Sequence, residues 1–190
     1  MTTLGRIRAV SVFFCVIALT ARGVHGQPSE GDLRLGSRVL LVADEPSLLC
    51  VGGGAFDLLR EGYAHGTDGY SGVGLAEFRL GRKFLFAGPL VGILANSDGG
   101  AYGYAGFFFD FALGSLRFEP MVSGGGYRRG ESKDLGGVFE IHTGANLAYR
   151  FDQGARIGLE INHISNGNLH HRNPGVELVL VTLMFPISGF

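Results

Sequence analysis

The sequence has 190 residues, 46% of them hydrophobic and 17% charged, and it is rich in glycine (33) and phenylalanine (15). A formal net charge of −1 offers no basic surplus for nucleic acid, and the length fits one domain. The first element is a targeting segment. Arg6 and Arg8 precede an apolar run from Ala9 to Ala21, and Val24-His25-Gly26 is a small-residue cleavage site before Gln27. The run is shorter than the ~20 residues of a membrane-spanning helix, so residues 1–26 are predicted to be a signal peptide. Cys15 lies within that run and not at its end, which argues against a lipoprotein signal. Its removal leaves Cys50 with no intrachain disulfide partner.

Residues 27–47 are polar to mixed and read as a periplasmic lead-in, or with Leu33 to Val42 as a short extra strand. Residues 48–190 are expected to form the main domain. Eight strand candidates follow, near 48–60, 70–80, 84–96, 101–113, 116–127, 137–151, 155–166 and 175–187. Most reach or exceed the ~9–11 residues that a tilted strand needs to cross a bilayer; soluble strands are nearer ~5–6. Phe139, Ile141, Thr143, Ala145, Leu147, Tyr149 and Phe151 share one face, opposite Glu140, His142, Gly144, Asn146 and Arg150. Leu116, Phe118, Pro120 and Val122 oppose Arg117, Glu119 and Ser123; Ala76, Phe78 and Leu80 oppose Glu77 and Arg79. Apolar residues outside and polar ones inside are the pattern of a transmembrane barrel.

Short connections at Gly81-Arg82-Lys83, Gly114-Ser115 and Asp152-Gln153-Gly154 alternate with mostly longer ones at Glu61–Gly69, Asn96–Gly100, Arg128–Gly136 and Gly167–Pro174. With both termini in the periplasm, the longer loops face outward. The expected fold is therefore all-β, an eight-stranded antiparallel transmembrane outer-membrane β-barrel. A terminal Phe190 resembles the outer-membrane assembly signal, although Pro186 and Ser188 stand where that signal prefers apolar residues. The triplets Gly52-Gly53-Gly54 and Gly124-Gly125-Gly126 have no helix pattern after them and read as barrel curvature.

The last strand pair carries the chemistry. Ile157, Leu159, Ile161, His163 and Ser165 share one face, so an apolar track ends in an imidazole and a hydroxyl near the outer end of its strand. Glu177 opens the next strand with the parity of Val179, Val181, Leu183 and Phe185, and facing side chains of such a pair lie about 4.5–5.5 Å apart. An ionisable group facing lipid needs a partner. A serine attacks an ester when a base takes its proton, and an imidazole, titrating near ~6.5, suits that task. Taken singly, His163 and Ser165 are better explained as ordinary interface-level polar residues.

His163-Ile164-Ser165-Asn166, then Asn173, then Glu177, resemble the motif of the PagL-type lipid A 3-O-deacylases, and the similarity extends back through Phe139. That resemblance implies an eight-stranded outer-membrane barrel with Ser165 as nucleophile, His163 as base, Glu177 as the acid that orients it and Asn173 near the oxyanion, with Asn166 the second candidate donor. The chain differs in having Gly167-Asn168 where the family often has Ala-Gly. The implied substrate is the 3-O-linked 3-hydroxyacyl ester of lipid A in lipopolysaccharide, reached by lateral diffusion among the outer-membrane lipids. The mechanism needs no metal or organic cofactor. Whether the chain forms a homodimer stays open at this level.

Other polar residues have plainer readings. His170 and His171 are adjacent, so they diverge on a strand, and no cysteine or tight carboxylate cluster joins them. His65, His142 and Glu160 read as loop or barrel-interior groups. Arg128, Arg129, Lys133 and Arg172 fall in outer loops, as solvated charge or as contacts for headgroup phosphates, with Arg172 the substrate-contact candidate. Two rival functions remain on the sequence alone: a phospholipase or acyltransferase with the same wall-mounted triad, and a non-catalytic structural or adhesive barrel.

Overall fold

The computed structural model describes residues 31–58 and 71–187. The leader, the first outer loop with His65, and Ser188 to Phe190 lie outside the described residues. Among those described there is no helix. The strands are β1 (Leu33–Leu35), β2 (Val39–Leu41), β3 (Ser47–Phe56), β4 (Ser71–Arg79), β5 (Gly88–Asn96), β6 (Ala101–Phe108), β7 (Phe111–Leu113), β8 (Leu116–Arg128), β9 (Phe139–Arg150), β10 (Arg156–Ser165) and β11 (Val176–Ile187).

Eight of them close a barrel in the order β8-β6-β5-β4-β3-β11-β10-β9, with β9 returning to β8, every pair antiparallel. Closure satisfies the backbone of each wall strand without a free edge, the condition for a sheet in hydrocarbon. The wall curves tightly where glycine allows it. A Cβ on Gly54 would stand 1.9 Å from the Val179 carbonyl oxygen.

Three expectations change. The strand predicted from residue 84 begins at Gly88. Residues Phe84 to Ala87 instead make a tight reversal, with Leu85 and Phe86 at φ 49° and 68°, so the periplasmic connection is longer than Gly81-Arg82-Lys83. The strand predicted over 101–113 is two, β6 and β7, interrupted at Phe109-Asp110. Asp110 is buried there and its carboxylate accepts from Arg156 at 2.7 Å across the lumen. The single extra strand considered over Leu33 to Val42 is two: β1 and β2 form a hairpin whose second strand pairs with β7.

Faces alternate as the residue pattern predicts, and the buried residues point into the barrel. Around Arg79 the lumen is ionic: its guanidinium meets Glu77 at 2.5 Å, Glu119 at 2.8 Å and Glu160 at 3.2 Å. Arg156 meets Asp110, Glu119 and Glu45, and Arg117 reaches Glu45 at 3.5 Å. The expectation of a polar lumen nonetheless needs amendment. β11 is apolar on both faces, so Leu178, Leu180 and Met184 pack inward with Leu48, Cys50, Leu75, Leu90 and Leu94. The interior therefore combines an ion network with a hydrocarbon core.

Glu45, from the segment that follows the hairpin, joins this network through Arg156 and Arg117. Burial pushes its carboxyl above its ordinary value, more strongly than Arg156 and Arg117 pull it down. On Asp110 burial is also the largest influence, but Arg156, Arg117 and Lys83 together hold that carboxyl below its ordinary value.

Candidate active site on the outer wall

β10 climbs toward the outer loops and β11 descends from them. Their register sets His163 opposite Glu177. The His163 Nδ1 lies 3.1 Å from Glu177 Oε1. A carboxylate only accepts, so Nδ1 is the donor, and in the neutral imidazole Nε2 keeps its lone pair. Both side chains look outward, 47% and 33% exposed, whereas Glu160 and Asn162 on the same strand are buried in the lumen. Ser165 lies two residues beyond His163 on the same face, half-buried and opposite Ile141. Below them Ile161, Leu159 and Ile157 form the exposed apolar track.

One neighbour escaped the sequence reading. Gly175, at the entry to β11, has φ 65°, and a Cβ on it would stand 2.8 Å from His163 Cε1 and 3.3 Å from Nε2. The imidazole therefore rests against a backbone that only glycine keeps flat enough. No sequence pattern signals this, because positive φ is dictated by how the loop returns to β11.

The outer loop is organised by Asn166, which is fully buried. Its amide nitrogen donates to Leu135 O at 2.8 Å and to Arg172 O at 2.7 Å, and its oxygen accepts from Asn168 N–H at 3.1 Å. Both side-chain hydrogens are thus committed to the loop. Asn166 N–H donates to Asn173 Oδ1 at 2.9 Å. An N–H must meet an oxygen, so this bond fixes the orientation of the Asn173 amide and leaves its NH₂ as the end available to another acceptor. The structure therefore brings together His163 and Glu177, sets Ser165 beside them on one face, and separates the two asparagines into a loop organiser and a free donor.

Loops 129–138 and 166–175 meet above the wall. Arg172 reaches Asp134 at 3.4 Å, and Arg129 reaches it at 3.9 Å. A cavity of about 450 Å³ opens between the loops, lined by Asp134, Asn168, His170, His171 and Arg172 among others. Lys133 differs from its expected place as surface charge: it is buried and donates to Asp57 at 2.9 Å. Among the described residues no group of three or more His, Cys, Asp or Glu side chains is arranged to hold a metal ion.

A family model for the lipid A 3-O-deacylases (PagL) matches residues 54–186, from β3 through β11. The chain belongs to this family. Members are carboxylic ester hydrolases of the bacterial outer membrane, and the closed barrel agrees with that location. Among solved structures, the crystal structure of the outer membrane enzyme PagL aligns with a TM-score of 0.56 at 16% identity, over 74% of this chain and 99% of that one. A de novo designed transmembrane β-barrel aligns with a TM-score of 0.50 at 13% identity, over 77% and 99%. At these identities the two structures speak for the fold. No curated protein matches the chain.

Proposed function

We propose that this family member hydrolyses the 3-O-linked 3-hydroxyacyl ester of lipid A with a Ser165-His163-Glu177 triad on its lipid-facing wall. The observation that carries the reading is the outward His163–Glu177 pair at the outer end of an apolar track, two residues from a serine. Ser165 Oγ attacks the acyl carbonyl carbon while its proton passes to His163 Nε2. Glu177 holds the imidazole tautomer and stabilises the imidazolium. The oxyanion accepts from the Asn173 amide, one such donor being worth roughly 3–4 kcal/mol. His163 then returns the proton to the departing sugar oxygen, leaving an acyl-serine. Water from the headgroup side, activated by the same imidazole, releases the 3-hydroxy fatty acid and restores the serine.

The Ser165 hydroxyl is not hydrogen-bonded to the imidazole in the structure. Catalytic hydrogen bonds in empty sites are often long and tighten around substrate. Arg172, at the rim of the inter-loop cavity, is the proposed contact for a lipid A phosphate. Residues 1–26 are the proposed cleaved leader, and residues 48–190 the proposed catalytic domain.

The test is mass spectrometry of lipid A incubated with purified protein. The wild type should release one 3-hydroxyacyl chain, and Ser165→Ala should lose at least roughly 10³-fold of that rate. Undiminished activity in Ser165→Ala would remove the nucleophile from the scheme. Hydrolysis of phospholipid in place of lipid A would favour the phospholipase reading, and no activity on either would favour a non-catalytic barrel.

A further inference from the structure

The N-terminal hairpin lies outside the residues shared with the deacylase family, which begin at 54, yet it is built into the wall. At the periplasmic end β5 starts at Gly88, opposite Phe108. Beyond that point β2 takes over as the neighbour of the descending strand, with Leu41 opposite Phe111 and Leu40 opposite Ala112. The hairpin is clamped there. Val42 N–H donates to Asp110 O at 2.9 Å, Lys83 Nζ donates to Val42 O at 3.0 Å, and Ala43 N–H donates to Asp32 Oδ1 at 2.8 Å.

Facing residues of paired strands project to the same side of a sheet. One row of partners therefore runs from the hairpin around the barrel: Leu33, Leu41, Phe111, Phe118, Leu147, Leu159, Val181. From Phe118 onward this row is the lipid-facing wall. Leu33 and Leu35 are 46% and 41% exposed, against 41% for Phe118 and 48% for Leu147. The hairpin thus presents the same kind of surface, at the same exposure, as the wall it continues. On the other face and in the turn it carries Arg34 and Arg38, which make no ion pair among the described residues. Since β2 runs antiparallel to the descending β7, the turn with Arg38 points toward the periplasm, at the level expected for lipid headgroups.

We infer that the β1–β2 hairpin is a membrane-seated extension of the barrel, with Leu33, Leu35, Val39 and Leu41 against the acyl chains of periplasmic-leaflet phospholipids and Arg38 at their phosphates. It adjoins β7 on the edge left open where β5 begins at Gly88, so the extension lies below β5, across the barrel from β10.

The chain contains no tryptophan, so single substitutions give clean reporters. Leu33→Trp and Leu35→Trp would be compared with Leu159→Trp on the wall and Leu169→Trp on an outer loop. Each full-length protein would be reconstituted in phosphatidylethanolamine–phosphatidylglycerol vesicles with brominated acyl chains, and its folding checked by heat-modifiable gel mobility. The expected result is a loss of emission at both hairpin positions as large as at Leu159→Trp, with protection from acrylamide. Quenching by acrylamide to the level of Leu169→Trp, without quenching by bromolipid, would place the hairpin in water and overturn the inference. So would protection from both quenchers together with cross-linked dimers, which would mean that a second copy covers it.

Discussion

Two polar clusters sit in this barrel, on opposite faces of its sheet, and they obey opposite rules. Inside, Arg79 meets three carboxylates and is itself fully buried. Outside, His163 meets one carboxylate and stays half open. A charge sealed in a lumen survives only with a dense set of partners, because desolvation costs several kcal/mol per ion. A group that must exchange protons with a substrate needs one partner and one unoccupied atom, here Nε2. The difference separates residues that hold the barrel together from residues that act.

Removing members of each cluster should therefore have effects that do not overlap. The largest expected effect is on catalysis. Glu177→Ala should lower kcat by about 10⁴-fold with little change in urea resistance, since an exposed pair contributes little to stability. A stability loss matching that of a lumen mutant would mean that the pair is structural. Next comes the interior. Arg79→Met leaves Glu77, Glu119 and Glu160 facing one another and should cost about 3–5 kcal/mol in urea unfolding of the membrane-inserted protein, with near-normal kcat per folded molecule. Unchanged stability would show that those carboxylates are held as neutral acids.

Asn173→Ala should lower kcat by about 10²–10³-fold with KM nearly unchanged; a change confined to KM would assign Asn173 to substrate binding instead. The smallest effect concerns pH. The folded-state value of Glu45 is raised above its ordinary 4.5, so the native state keeps its proton longer than the unfolded state does. Its contribution to stability is therefore greatest below that value and declines as pH rises above it, toward the raised folded value. Glu45→Gln should flatten that part of the stability–pH curve. A curve unaltered by the substitution would show that Glu45 is ionised in both states.

How much of this could be read beforehand varies with the kind of contact involved. The faces of β9 and β10 were legible because alternation is local: Glu160 and Ile161 go to opposite sides whatever the rest of the chain does. The pairing of His163 with Glu177 was legible because a single polar loop joins consecutive strands and parity does the rest. The commitment of Asn166 was not, since Leu135 and Arg172 approach it only when two outer loops pack together. Nor was the break at Asp110, whose carboxylate answers to Arg156, 46 positions along the chain. The inward turn of Leu178, Leu180 and Met184 was hidden for another reason. A strand apolar on both sides carries no label for the lumen.

The amino-acid order by itself determined the eight strands of the barrel wall, which residues share a face, and the presence of a serine, a histidine and a carboxylate on one apolar surface, because backbone pleating forces alternation residue by residue. Only the closed barrel decided which carboxylates Arg79 and Arg156 would meet, why glycine stands beside the His163 ring, and that the N-terminal hairpin continues the wall. Each of those depends on strands far apart in the chain being brought side by side, and long-range register is a property of the whole sheet.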